Sequence, residues 1–206
     1  PSAPAAPAAP AAAKMAEAPS EEINLAAADM GGAVEELTGN YGPGFTGRRL
    51  VDGLLAPTWS VQEVTNPPPK QPFFPQEAVI SFFERHAAEV HAIDIILPDD
   101  PAAAPKDIEI WTSMTNPYEN FSRVAVATLE KKPGVQTVEL DDPVEAKYVK
   151  LKVVSGHSPG AIEIAEVRVL EADRRGYIPL FERAPMVKHW KGSPREGAQR
   201  GLDWLQ

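Results

Sequence analysis

The feature that most narrows what this chain can fold into is a recurrence of short, two-period stretches broken by turn-forming residues. Ile108 and Ile110 alternate with Glu109 and Trp111, Val138 and Leu140 flank Glu139, and Val149, Leu151 and Val153 alternate with Lys150 and Lys152. Successive side chains of a strand point to opposite faces, so this spacing puts apolar groups on one side and polar groups on the other. The runs AVISFF and HAIDIIL are apolar on both faces and read as central strands. Between the runs stand PDDPAAAP, TNPYEN, KKPG, DDP and SGHSPG. Their spacing of roughly 8 to 15 residues is that of an antiparallel sandwich or barrel. No long amphipathic helix is evident here, so residues 21–172 read as all-β.

The flanks have a different character. Residues 1–20 include 15 that are Ala or Pro. Repeated proline blocks helix and sheet ladders alike, so this stretch reads as an extended arm or semi-rigid linker that cannot build a core. Residues 173–206 lose the alternation and gain Pro, Gly and scattered aromatics, and read as an irregular extension. Its closing GAQRGLDWLQ reads as a short terminal helix with Leu202 and Leu205 on its apolar face. The sequence opens on Pro rather than Met, which leads us to expect an upstream segment, for which a signal peptide or anchor is one reading.

Charge narrows the partners. Residues 21–172 carry 12 Lys/Arg against 24 Asp/Glu, whereas residues 173–206 carry 7 against 4. Neutralising phosphates needs a basic face, so an acidic body argues against nucleic acid. The basic extension reads as a solvated tail or as one that pairs with an acidic neighbour. The chain has no cysteine, which removes disulfides, thiolate metal sites and cysteine nucleophiles. No run of 18 apolar residues is present to span a membrane as a helix.

Five stretches carry a resemblance in their order and spacing. They are INLA (23–26), LVDG…TW (50–59), IEIWTSMTNPYENFSRVA (108–125), VEAKYVKLKV (144–153) and IEIAEVRVLE (162–171). In this the chain resembles the discoidin, or coagulation factor 5/8 type C, domain family, which is similar to the family 32 carbohydrate-binding modules. The resemblance implies an antiparallel jelly-roll β-sandwich of the galactose-binding-like kind, with about eight strands. It also implies a non-catalytic recognition module on an extracytoplasmic protein, periplasmic or secreted, which binds a glycan or a protein surface through loops at one end. Relatives often hold a structural calcium near the Asp-Gly turn, closed by a Glu of the last strand. That implies a metal set of Asp52, Thr58 and Glu166, although Leu54 and Leu55 stand where relatives more often place a polar residue.

The residues bear on these roles independently. Gly53 permits a positive φ after Asp52. Calcium needs six to eight oxygens, and a carboxylate beside converging carbonyls supplies some of them. In the last strand Ile162 and Ile164 alternate, but the next apolar pair is Val167 and Val169, so the phase shifts around Ala165 and Glu166. A β-bulge there re-aims Glu166 inward, where it needs a cation, a hydrogen bond or a salt bridge. Trp59, at a strand start, reads as core.

For ligands the best candidates are Tyr41 in TGNYGPGF, Trp111 on its sheet face, Asn116, Tyr118 and Asn120 in TNPYEN, and His157 in SGHSPG. Aromatic faces stack on sugar C–H groups and amides pair with hydroxyls. The plainer reading is that Trp111 packs across strands while Asn and Tyr form and cover turns. No phosphate loop, nucleophile elbow or paired-carboxylate motif appears, which points away from an enzyme. The alternative to a loop-binding module is a structural accessory subunit. It would dock on a larger, membrane-associated complex through its arms, with Tyr177, Phe181, Trp190 and Trp204 as anchors, since aromatics are common interface anchors.

Overall fold

The structure, a computed structural model, describes residues 22–63 and 73–172. The expectations for the Ala/Pro arm, and for the extension with Tyr177, Phe181, Trp190, Trp204 and its terminal helix, lie outside the described residues. The described part is almost entirely antiparallel β-structure. Its strands are β1 (Ala33–Leu37), β2 (Trp59–Gln62), β3 (Gln76–Ser81), β4 (Ala88–Leu97), β5 (Asp107–Ser113), β6 (Ser122–Thr128), β7 (Gly134–Ala146), β8 (Tyr148–Val153), β9 (Ala161–Ile164) and β10 (Glu166–Glu171). Three 3-10 turns are the only helical elements among the described residues.

The strands form a five-stranded sheet ordered β1-β3-β8-β5-β6, a three-stranded sheet ordered β10-β4-β7, and a β2-β9 pair. AVISFF begins on β3 and HAIDIIL falls on β4, and each of these strands has neighbours on both sides. One continuous core draws on every sheet, with Ile80, Ile108, Ile110 and Leu151 from the largest, Ile93, Ile95 and Val167 from the second, and Trp59, Ile162 and Ile164 from the pair. Trp59 is fully enclosed, and its indole N–H donates to the Gly39 carbonyl at 3.0 Å, so the buried polar edge is satisfied. The fold is the jelly-roll β-sandwich that the sequence implied.

The phase shift at Ala165 has a larger cause than a bulge. β9 pairs with β2, β10 pairs with β4, and the chain changes sheets at Ala165, whose N–H donates to the Ile96 carbonyl at 2.9 Å. A one-residue step flips the side-chain phase, which turns Glu166 inward, and the residue is only 3% exposed.

Register fixes the two ends of the sandwich. Ala33, Ser81, Tyr148 and Ser113 align at one end, while Leu37, Gln76, Val153 and Asp107 mark the other. The β5–β6 loop therefore leaves the first end, whereas Tyr41 and His157 lie in loops beyond the second. The described segment also begins and finishes side by side: Asn24 bridges to Leu170, Leu25 N–H donates to the Val169 carbonyl at 2.8 Å, and Val169 N–H donates to Asn24 Oδ1 at 3.0 Å.

Candidate functional site

The outer face of the five-stranded sheet is set by the polar phase of its strands. Inward residues such as Ala78, Ile80, Val149 and Leu151 join the core, so Glu77, Val79, Lys150 and Lys152 face out. Cross-strand pairing lines them up in two rows, Glu36-Val79-Lys150-Trp111 and Glu77-Lys152-Glu109. A register shift between Val34 and Glu36 marks the irregularity in β1 just before the first row. Residues opposite one another in a row lie within side-chain reach, so each row behaves as an interaction unit.

Beside these rows lies a groove of about 260 Å³, lined by Glu36, Leu37, Thr38, Glu77, Val79, Pro117, Tyr118 and Lys150. Its outer wall is the β5–β6 loop, which the sequence builds locally. Buried Ser113 Oγ accepts Thr115 N–H at 3.2 Å and donates to the Glu119 carbonyl at 3.3 Å. Asn116 Oδ1 accepts the N–H groups of Tyr118 at 2.8 Å and Glu119 at 3.0 Å, an Asx-type turn. Asn120 closes the loop with φ +59. These contacts fix the backbone of Tyr118 and leave its ring 73% exposed. Alongside, Glu84 and Arg85 have φ values of +47 and +59, and Arg85 grips Glu35 with two hydrogen bonds of 3.0 and 3.1 Å. All three non-glycine residues with left-handed φ among the described residues thus stand at the end of the sandwich from which the β5–β6 loop leaves. Such conformations persist only where surrounding contacts enforce them, and they gather at functional surfaces.

The cations of this face are engaged. Lys150 Nζ lies 4.2 Å from the centre of the Phe121 ring and 3.7 Å from Glu77. Lys152 reaches Glu109 at 3.6 Å and Glu77 at 4.0 Å, and Arg123 meets Glu109 at 2.8 Å. The Arg123 hydrogen bond is the largest influence on the Glu109 carboxyl and, aided by the Trp111 indole, holds it below the usual range against the opposing pull of burial. The Arg85 hydrogen bond does the same for Glu35, again against burial and with help from Ser81. Lys152 and Arg123 lie 5.7 and 5.8 Å from the Trp111 ring centre. Trp111 and Phe121 are accordingly built into the sheet face, and Tyr118 is the open aromatic of the groove.

The Asp-Gly turn forms a separate clasp. Gly53, at φ +76, donates its N–H to both Glu166 oxygens at 3.2 and 3.3 Å, tying the turn to β10. Asp52 Oδ2 accepts from Arg49 at 2.8 Å and Oδ1 accepts Leu54 N–H at 3.0 Å. Burial pushes the Glu166 carboxyl up to about 7; the Gly53 N–H and Arg168 oppose this, and the charges of Asp52 and Asp29 add to it. The side chains that the resemblance assigns to calcium are engaged with protein groups. Thr58 donates its hydroxyl to Glu163 at 2.5 Å, Arg49 already supplies Asp52 with positive charge, and no group of three His, Cys, Asp or Glu suited to a metal occurs among the described residues.

Of the expected ligand residues, only Tyr118 lines the groove. Asn116 and Asn120 shape its wall, and Trp111 continues one of its rows. Tyr41 is 57% exposed, stacked edge-on against Phe45 at 5.7 Å, and lies at the opposite end. His157 is there too, with ring Nε2 2.9 Å from the Leu129 carbonyl. A single loop cluster containing Tyr41, Asn116–Asn120 and His157 therefore does not exist, because antiparallel register sends the β5–β6 loop to the other end. Sequence reasoning missed Glu36, Thr38, Glu77 and Lys150. The out-facing phase of β3 and β8 was a signal for Glu77 and Lys150, but the pairing of β1 with β3 that brings in Glu36 was not visible.

A family model described as F5/8 type C domain matches residues 32–167. No curated protein matches the chain. Among solved structures, the family 32 carbohydrate-binding module of Clostridium perfringens NanJ, in complex with galactose, is 22% identical with a TM-score of 0.59, covering 73% of this chain and all but 1% of its own, that is 99%. Chitosan-binding module 1 of a Paenibacillus sp. IK-5 chitosanase/glucanase is 19% identical with a TM-score of 0.57, covering 71% of this chain and 98% of its own. The family 32 module of AlyQ, in complex with 4,5-unsaturated mannuronic acid, is 16% identical with a TM-score of 0.53, covering 68% and 95%.

Proposed function

The chain belongs to the F5/8 type C domain family, and from that premise we propose that it is a non-catalytic glycan-binding module whose sugar lies in the Tyr118 groove. The observation that carries this reading is the lining of the groove. One exposed aromatic ring stands over a floor of carboxylate, ammonium and hydroxyl groups, with Pro117, Leu37 and Val79 as apolar surface. Sugar recognition asks for that combination, a flat apolar face for C–H groups and convergent polar groups for hydroxyls. Sugars bound by structurally similar modules, among them galactose, support the class of ligand.

The polar groups form pairs that suit binding. Glu77 accepts while its neighbour Lys150 donates, so adjacent hydroxyls of one sugar ring meet an acceptor and a donor together. Thr38 holds the β1 end of the groove in place, since its hydroxyl accepts Glu77 N–H at 2.7 Å and so aligns the Glu77 backbone. A glycan-array screen of the full chain, repeated with Tyr118→Ala, tests the proposal. Binding that the substitution abolishes supports it, and binding that the substitution leaves intact, or no binding to any glycan, refutes it.

A further inference from the structure

Resting on the glycan-binding reading of the Tyr118 groove, we infer that the groove selects a glycan bearing a free amine, a cationic 2-amino sugar, over acidic and N-acetylated sugars. The charge pattern around the groove carries this. Lys150, Lys152 and Arg123 share Glu77 and Glu109 at 2.8 to 4.0 Å, and Arg85 pairs with Glu35, so each of these cations already faces a carboxylate that a uronate, sialate or sulfate would have to displace. Recognition of an anionic sugar rests on charge-assisted bonds to Arg or Lys, and here the positive charge of those groups is already offset by neighbouring carboxylates.

Five carboxylates, Glu35, Glu36, Glu77, Glu109 and Glu119, stand against these four cations, an excess of one. Glu36 lines the groove, is exposed, and has no ion pair or hydrogen bond to its carboxylate among the described residues. Glu119, at the foot of the opposite wall, accepts only from the Asn116 amide at 3.4 Å. Glu36 therefore brings an unneutralised negative charge to a groove whose other wall is an open tyrosine ring. A protonated amine meets both attractions at once, an ion pair with the carboxylate and the negative face of the aromatic ring. Acetylation removes that charge and leaves only stacking and hydroxyl contacts. The acidic body of the chain adds a long-range field of the same sign.

Calorimetric titration of the full chain with glucosamine, N-acetylglucosamine and galacturonate tetramers at low ionic strength tests the inference. Glucosamine tetramer is expected to bind about tenfold more tightly than its acetylated counterpart, a difference of about 1.4 kcal/mol. Galacturonate should bind most weakly, and added salt should erase the preference. Glu36→Gln should abolish the preference while preserving the fold, Tyr118→Ala should weaken every ligand, and Tyr41→Ala, which is not part of the groove lining, should change nothing. Tyr118-dependent binding without an amine preference, or a preference that survives Glu36→Gln, overturns the inference and leaves the glycan reading standing. Amine binding that ignores Tyr118→Ala places the ligand elsewhere and overturns both, as does the absence of binding to any of the three.

Discussion

Replacing Glu166 with Gln should remove a pH dependence that wild type carries between acid and neutral conditions. The carboxyl is 3% exposed and receives a single backbone N–H shared between its oxygens, so the fold favours its protonated form. Its pKa rises from 4.5 to about 7. A folded-state pKa above the unfolded one means that the stability linked to this group is complete below about 4.5 and is lost as pH climbs through about 7. At 1.36 kcal/mol per unit, the loss is roughly 3 kcal/mol. Gln keeps the shape and an oxygen for Gly53, yet never ionises. Urea unfolding at pH 5 and pH 8 should therefore show wild type losing about 2.5 kcal/mol more than Glu166→Gln, since part of the loss has already occurred by pH 5, with the slope of all other groups cancelling between the two proteins. Parallel profiles refute the reasoning. So does a wild type that gains on the variant with rising pH, or one whose extra loss vanishes when calcium is added, because a cation at the clasp would hold Glu166 ionised.

Arg49→Ala should cost about 2 kcal/mol by stranding the Asp52 carboxylate, whose side chain is 10% exposed, and neither calcium nor chelator should move the resulting melting temperature. In Gly32→Ala the new Cβ would stand 2.1 Å from the Ala26 carbonyl oxygen, so a loss of roughly 3 kcal/mol in urea unfolding is expected. Ser113→Ala removes the hydroxyl under the groove wall and should lower stability by about 1 kcal/mol while weakening glycan binding in the same titration. Tyr118→Ala, at a residue 73% exposed, should leave the melting curve within about 0.5 kcal/mol of wild type.

The sandwich was legible because its strands obey a two-residue period that survives in the sequence as written. Ile108, Ile110, Val149, Leu151 and Val153 all fall on the buried side of their strands. The inward turn of Glu166 was legible for the same reason, as a break in that period, although a shift of one residue does not reveal whether a strand bulges or crosses to another sheet. The site was much less legible. Loop composition marks Tyr41, Asn116, Tyr118, Asn120 and His157 alike, since turn residues and ligand residues share the same chemistry. What separates them is which end each loop leaves and which hydrogen bonds the loop consumes, and both depend on pairings between distant segments. Asn116 spends its Oδ1 on its own turn, His157 sits against the Leu129 carbonyl, and Tyr118 alone is left open over the sheet. Glu36 and Lys150 are 114 positions apart in the chain and meet only because β3 lies between β1 and β8.

The bridge between Asn24 and Leu170 sets how such a unit is carried. Entrance and exit of the folded part are neighbours on one ladder, roughly 5 Å apart, the spacing of adjacent strands. A host polypeptide could therefore admit the whole cassette at a single surface turn, as it would admit a long hairpin, with scarcely any displacement of its own backbone. Presentation of the Tyr118 groove would then be governed by where that turn lies on the host, and shuffling the cassette among hosts would need no redesign of its interior.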